Sequence, residues 1–229
     1  MLHDLEKKLE INFKDKNLLK SAFIHRSYLN EHPDEKLPHN ERLEFLGDSV
    51  LGFVVSEHLF IEFPTHAEGD LTNFRSSLVN ARTLAEVSKK LGLGDFLLLS
   101  KGEEATGGRD RQYLLANTFE AFLGAIYLDG GIEPAKKLIH AVLIPKLSDI
   151  IDKKLYKDFK SAFQEVAQEK KNITPAYRVI EESGPDHNRT FKVGVFLGDE
   201  LVGAGNGKSK QAAEQEAEAA ALAKFEKNE

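Results

Sequence analysis

The chain has 229 residues, enough for one large domain or two modest ones, with 41% hydrophobic and 30% charged residues. It contains no cysteine, which excludes disulfides and thiolate metal sites, and no apolar run of about 18 residues or N-terminal apolar h-region, which points to a cytoplasmic protein without a membrane partner. The net charge of −6 speaks against nucleic-acid binding by bulk charge: residues 1–150 carry 18 Lys+Arg against 23 Asp+Glu and residues 151–229 carry 13 against 14, so such a partner has to be held by local patches.

Residues 1–24 read as two short helices, Leu2, Leu5, Leu9 and Ile11 marking the first and Leu18, Leu19 and Phe23 the second, with Asp15 as the cap between them. His25-Arg26-Ser27-Tyr28 follows, where His25 reads as structural. Residues 30–39 are polar, hold Pro33 and Pro38, and form a loop.

The next run, His39-Asn40-Glu41-Arg42-Leu43-Glu44-Phe45-Leu46-Gly47-Asp48-Ser49-Val50-Leu51, opens a helix that continues to the stop at Pro64. At 100° per residue Glu41, Glu44 and Asp48 fall within about 60° of one another, while Leu43, Leu46, Val50, Leu51 and Val54 fill a different arc. Three like charges so close destabilise a helix unless a positive charge sits among them, and Arg42 points elsewhere. The edge is either a solvated acidic face or a site for a hard divalent cation. Phe45 lies about 40° beyond Glu41, outside the apolar arc, with no core of its own chain to enter.

After a turn at residues 65–70, in which Asp70 is a candidate cap, helices are expected over about 70–80 and 81–91, ended by Gly92 and Gly94. Leu97-Leu98-Leu99 is too short to classify. Residues 100–112 read as a glycine-rich charged loop, either solvent-facing or delivering Arg109 and Arg111 to a phosphate backbone. In the following helix, Leu114–Ile126, Asn117 and Glu120 share a line with Gly124, while Phe119, Phe122, Leu123 and Ile126 cover the apolar side. A glycine in that line admits a second backbone, so two helices can face one another with oxygen ligands at the seam. Ile132–Leu147 reads as one more helix, interrupted near Pro145.

After the charged linker 149–156 the pattern changes. Asp158 caps a helix running to about Lys171, ended by Pro175. Strands are expected over Ala176–Glu182, Thr190–Phe196 and Glu200–Gly205, and an alanine-rich helix over Lys208–Phe225. Lys208 and Lys210 stand at the start of that helix, beside free N–H groups suited to phosphate.

The run Asn40–Leu51, together with Leu115–Asp129, resembles the signature of bacterial ribonuclease III, the double-strand-specific endoribonuclease. The C-terminal α-β-β-β-α order resembles a double-stranded-RNA-binding domain in its motifs: Gln164-Glu165 on the first helix, Gly184-Pro185-Asp186-His187 in a loop, and Gly205-Asn206-Gly207-Lys208-Ser209-Lys210 before the last helix. Gln211 stands where that family commonly has a third basic residue. The resemblance implies an all-α endonuclease domain at 1–148, a linker at 149–156 and an RNA-binding domain at 157–226. It implies hydrolysis of duplex RNA to 5′-phosphate and 3′-hydroxyl ends with short 3′ overhangs, in RNA processing. Catalysis falls to Asp48, Glu120 and Glu44. A magnesium ion, with manganese as a substitute, is held by Glu44, Asp48, Asn117 and Glu120, with Glu41 and Glu68 in support, and no organic cofactor is involved. RNA contacts fall to Gln164, Glu165, Pro185, Asp186, His187, Lys208 and Lys210, and a symmetric homodimer places Phe45 in a socket of its partner. The departure is Asn117, where the family usually has aspartate. It is compatible with an active variant, an engineered trap for uncleaved RNA, or a weakened enzyme, and the alternative function is a catalytically silent RNA-binding dimer.

Overall fold

A computed structural model of the chain describes residues 2–152, 159–185 and 189–226. Two compact units divide at residues 156 and 157. The first is helical: α1 (Leu2–Leu9), α2 (Lys16–Ser21), α3 (Arg26–Glu31), α4 (Glu41–Glu62), α5 (Glu68–Val79), α6 (Ala81–Leu91), α7 (Lys101–Ala105), α8 (Gln112–Gly130), α9 (Ile132–Val142) and α10 (Lys146–Asp152). Its axis is α8, whose residues from Leu114 to Ile126 are buried almost without interruption, so its side chains are apolar nearly all round. Phe122 meets Phe13 and Phe23 at ring-centroid separations of 6.1 and 5.7 Å, which ties the N-terminal segment to the central helix. Across α8 runs α4, burying Leu43, Val50, Leu51, Val54, Val55 and Leu59.

Local chemistry explains the element boundaries. Asp15 caps α2 as expected, accepting from the N–H groups of Asn17 and Leu18. His25 caps α3, its Nδ1 accepting from the Ser27 N–H at 3.3 Å, a structural role. Asn40 precedes α4 without capping it by its side chain. It is buried, donates its amide to Ala22 O at 3.3 Å and its N–H to Ile24 O at 2.8 Å, and so fastens the start of α4 to the α2–α3 segment. The Leu97–Leu99 run pairs there too: Leu98 bridges Ile24 in parallel, with Leu98 N–H donating to Phe23 O.

Three expectations are corrected here. Helix α5 begins at Glu68 after Ala67, so Asp70 lies inside its first turn and is not the cap. Residues 100–112 hold the helix α7, capped by Ser100, and a 3₁₀ turn at Gly108–Asp110. Residues 149–152 continue α10, where Ile150 is buried against the core, so helix extends into the expected linker. The helix before the first strand ends at Lys171, as expected, where Asn172 takes a left-handed backbone, φ 53°, ahead of Pro175.

The second unit is α11 (Phe159–Lys171), β1 (Ala176–Ser183), β2 (Thr190–Leu197), β3 (Glu200–Gly207) and α12 (Lys210–Glu226), an antiparallel sheet in the order β1-β2-β3. Phe163 and Ala167 of α11, Val195, Leu197 and Val202 of the sheet, and Ala217 and Ala221 of α12 form its core. The alternating glycines of β3 let α12 lie on the strand: a Cβ at Gly203 would stand 2.3 Å from Ala217 O.

Candidate active site

Helices α4 and α8 touch backbone to backbone. A Cβ on Gly47 would stand 1.7 Å from Glu120 O, and one on Gly124 would stand 2.2 Å from Leu43 O. The approach expected from Gly124 is therefore reciprocal, and Gly47 is the half that the helical wheel did not single out. It brings Glu44 and Asp48 on α4 to the same seam as Asn117 and Glu120 on α8. Burial, then the charges of Asp48 and Glu44, push the Glu120 carboxyl up to about 7. Burial and the charges of Glu41 and Asp48 likewise raise Glu44, while a hydrogen bond from the Asn117 amide holds it down. The three carboxylates thus feel one another electrostatically, and the Asn117 amide acts on Glu44 in the opposite sense.

Among the described residues no three His, Cys, Asp or Glu side chains converge closely enough to hold a metal ion. The chemistry at the seam still suits a hard cation, since its three carboxylates, Glu44 and Glu120 half-buried and Asp48 exposed, repel one another. Glu41 stands at the edge of this group, its carboxylate 3.8 Å from both Arg26 Nη1 and His39 Nδ1. Glu68 opens α5, and its partner is the Thr72 hydroxyl of the same helix, at 3.0 Å. Beside the seam lies a hollow of about 330 Å³ lined by His25, Arg26, Glu41, Glu44, Tyr113 and Asn117 among others. Arg26 and Tyr113 escaped the sequence reading because they come from two elements remote in the chain, with no spacing to link them.

Arg109 and Arg111 do not serve as free phosphate ligands. Arg109 Nη1 donates to the carbonyls of Gly94, Asp95 and Leu97, and its Nε pairs with Glu104 at 2.7 Å. Arg111 pairs with Glu103, bonds Thr106 and stacks toward Tyr113. Both guanidinium groups knit the 94–113 segment together. Phe45, in contrast, is left in solvent as the helical wheel requires, with 78% of its surface exposed. Phe53 and Phe60 are also exposed and fall on the same side of α4.

In the second unit Lys208 and Lys210 are exposed beside the start of α12. That helix begins at Lys210 and not at Lys208, because Ser209 caps it by accepting from Ala212 N–H at 3.1 Å. Lys208 Nζ donates to the Thr190 hydroxyl, and Lys210 Nζ lies 3.7 Å from Glu182 and over the Phe191 ring. These are weak surface contacts that an anion can displace. Gln164 and Pro185 are exposed. Asp158, Asp186 and His187 lie outside the described residues, as does the side chain of Glu165.

Comparison with known proteins matches a Ribonuclease-III-like family model to residues 15–147 and a double-stranded RNA binding motif to residues 159–224. The chain is 48% identical over 222 residues to Ribonuclease 3 of Enterococcus faecalis, covering 96% of this chain and 95% of that protein. It is 44% identical over 225 residues to Ribonuclease 3 of Bacillus velezensis, covering 98% and 90%. Among solved structures it is similar to the nuclease domain of ribonuclease III from Campylobacter jejuni, reported for flexibility in its region involved in dimer formation, with a TM-score of 0.58 and 44% identity over 62% of this chain and 95% of that one.

Proposed function

Because the chain belongs to the ribonuclease III family, we propose that its α4–α8 seam is the cleavage centre of an endoribonuclease acting on double-stranded RNA. The hydrolytic activity follows from the family; the division of labour among residues is our reading. Glu44, Asp48, Asn117 and Glu120 would hold a magnesium ion, for which manganese could substitute. The bound ion supplies Lewis acidity toward water and toward the departing 3′-oxygen. Without it, Glu120 retains a proton through much of the neutral range, because burial and two carboxylates disfavour its charge. The Asn117 amide N–H fixes the Glu44 carboxylate, leaving the amide oxygen as the neutral member of the donor set. The observation that carries this reading is the backbone contact at Gly47 and Gly124, which forces carboxylates from two helices into one half-buried place.

The second unit supplies duplex affinity through Lys208 and Lys210 beside the α12 N-terminus, with Gln164, Glu165, Pro185, Asp186 and His187 completing the face. Duplex RNA hides its base edges in a narrow major groove, so shape, 2′-hydroxyls and phosphates are what such a face reads. Two chains pair through the exposed side of α4. Phe45, Phe53 and Phe60 span 15 residues of that helix, about 22 Å at 1.5 Å per residue, and a two-fold axis uses such a stripe twice. Two centres in one dimer then cut both strands a short distance apart and leave 3′ overhangs, as RNA processing requires. No described helix is long and apolar enough to cross a membrane.

The Asn117–Glu44 hydrogen bond favours a second reading, in which the neutral amide leaves a duplex-binding dimer that cuts slowly or not at all. Cleavage of a long RNA duplex over a magnesium series separates them. Magnesium-dependent production of short duplexes with 5′-phosphate ends, abolished by a chelator, supports the nuclease. Tight binding without cleavage at any magnesium concentration refutes it.

A further inference from the structure

We propose that the hollow beside the seam seats the ribose-phosphate unit next to the scissile bond, with Arg26 on its phosphate and Tyr113 and Glu41 on its 2′-hydroxyl. The proposal deepens, and rests on, the nuclease reading above. At about 330 Å³ the hollow is at the small end for ligand sites, suited to a sugar and phosphate while the base stays paired in the duplex. Its lining includes Glu44 and Asn117, so a backbone unit seated there adjoins the seam.

Electrostatics demand a cation at this place. A polyanion approaching Glu41, Glu44, Asp48 and Glu120 meets repulsion at each step, and a metal at the seam answers for one phosphate only. Arg109 and Arg111 are occupied by carbonyls and carboxylates of their own segment. Arg26 is different: its side chain is 71% exposed, and it faces Glu41 at 3.8 Å, beyond hydrogen-bond length and weakly held in solvent. A phosphate displaces Glu41 from Arg26 with little loss. The carboxylate thus freed accepts a hydrogen bond from a 2′-hydroxyl. Tyr113 completes the arrangement, because its oxygen accepts from Arg111 Nη1 at 3.2 Å and its own proton is available to donate. The 2′-hydroxyl lies in the wide minor groove of A-form RNA and is absent from DNA, so a pocket that grips it selects RNA where the chemistry occurs.

The test uses the full-length dimer with Arg26→Ala, Arg26→Lys and Tyr113→Phe, and a defined RNA duplex with or without a single 2′-deoxy nucleotide beside the cut. For Arg26→Ala we expect KM to rise about tenfold, as for loss of a charged hydrogen bond, with a smaller fall in kcat. The logarithmic salt dependence of KM should fall by about one unit, and Arg26→Lys should recover much of the loss. The 2′-deoxy substitution should weaken the wild type more than Tyr113→Phe, which keeps only the Glu41 contact to that hydroxyl. Arg26→Ala with wild-type KM and salt dependence overturns the proposal. So does a loss that appears only as a shifted magnesium midpoint and is not restored by lysine, since Arg26 then acts solely by positioning Glu41. Equal effects of the 2′-deoxy nucleotide on wild type and Tyr113→Phe overturn the hydroxyl contact. A wild type that leaves all duplexes intact defeats the nuclease reading itself, an outcome distinct from each of these.

Discussion

Glu120 has a carboxyl raised to about 7 by burial and by Asp48 and Glu44, so its titration is linked to folding and, in the proposed ligand role, to metal binding. The folded state binds its proton between the unfolded value near 4.5 and the folded value near 7, while the unfolded chain has released it. Stability of the metal-free protein therefore falls as pH rises through that window. Solvent reaches part of this group, so the loss is on the order of 1–2 kcal/mol. Glu120→Gln should weaken the trend to the part that the raised Glu44 carboxyl contributes, make the metal-free protein more stable than wild type at pH 8, and remove nearly all cleavage while leaving duplex binding intact. Denaturant melts at pH 5.5 and 8 beside a cleavage assay check all three. The same proton competes with the cation, so the magnesium midpoint of the wild type should rise as pH is lowered from 8 to 6. Asn117→Asp exchanges the amide that now steadies Glu44 for another negative charge. It should lower the magnesium midpoint and destabilise the metal-free fold, and an unchanged midpoint would show that position 117 does not touch the ion. The residue types and their helical spacing were legible in the sequence. The half-buried setting that raises Glu120 was not, because burial depends on what packs across α4 and α8, and periodicity reports only one helix at a time.

At the scale of elements, the close crossing of α4 and α8 positions the chemistry, and it depends on two missing side chains. Gly47→Ala places a methyl 1.7 Å from Glu120 O, and the neighbour is backbone that cannot rotate away. The helices must separate, with a loss of roughly 3 kcal/mol or more by the measure of overpacked cores. Cleavage should be lost too, because separation pulls Glu44 and Asp48 from Glu120. Gly52→Ala on the same helix has open space around its Cβ and serves as the control. It should fold at least as stably as wild type, alanine being the better helix former. Comparable melting curves for the two variants would refute the close-packed seam. Gly124 was readable as a point of approach because it shares a line with Asn117 and Glu120. Its counterpart Gly47 lay in plain view within the diagnostic run, yet a wheel of one helix does not tell which of its glycines meets a partner. Arg109 and Arg111 misled for a related reason. A guanidinium in a polar segment reads as available for phosphate, whereas three backbone carbonyls turned toward Arg109 are a tertiary fact.

Across the whole molecule the charge is unfavourable for an RNA partner, and the remedy lies in two local devices. One is the second unit, which has its own core around Phe163, Val195 and Ala217 and should fold as a fragment of residues 157–229. That fragment should prefer duplex RNA to duplex DNA, and Lys210→Ala should reduce its salt dependence by about one unit without altering sequence preference. The order of its elements was legible because strand alternation and an alanine-rich helix are local signals, whereas the start of α12 two residues late depended on Ser209 as cap. The other device is the proposed pairing of two chains, which would set two acidic centres against one duplex. Phe45 is the side chain to test it with, since no core of its own chain receives it and 78% of its surface is exposed. Removing a group already in solvent leaves monomer stability within about 0.5 kcal/mol, whereas removing a knob used twice in a symmetric interface weakens association by two such contacts. Phe45→Ala should therefore melt like wild type when dilute, sediment further toward monomer over a concentration series, and shift cleavage from double-strand cuts toward single-strand nicks. The affinity of the isolated second unit should not change. A variant that stays dimeric at the lowest concentrations and still cuts both strands together would place the partner's contact elsewhere on α4, with Phe53 and Phe60 as the next side chains to remove.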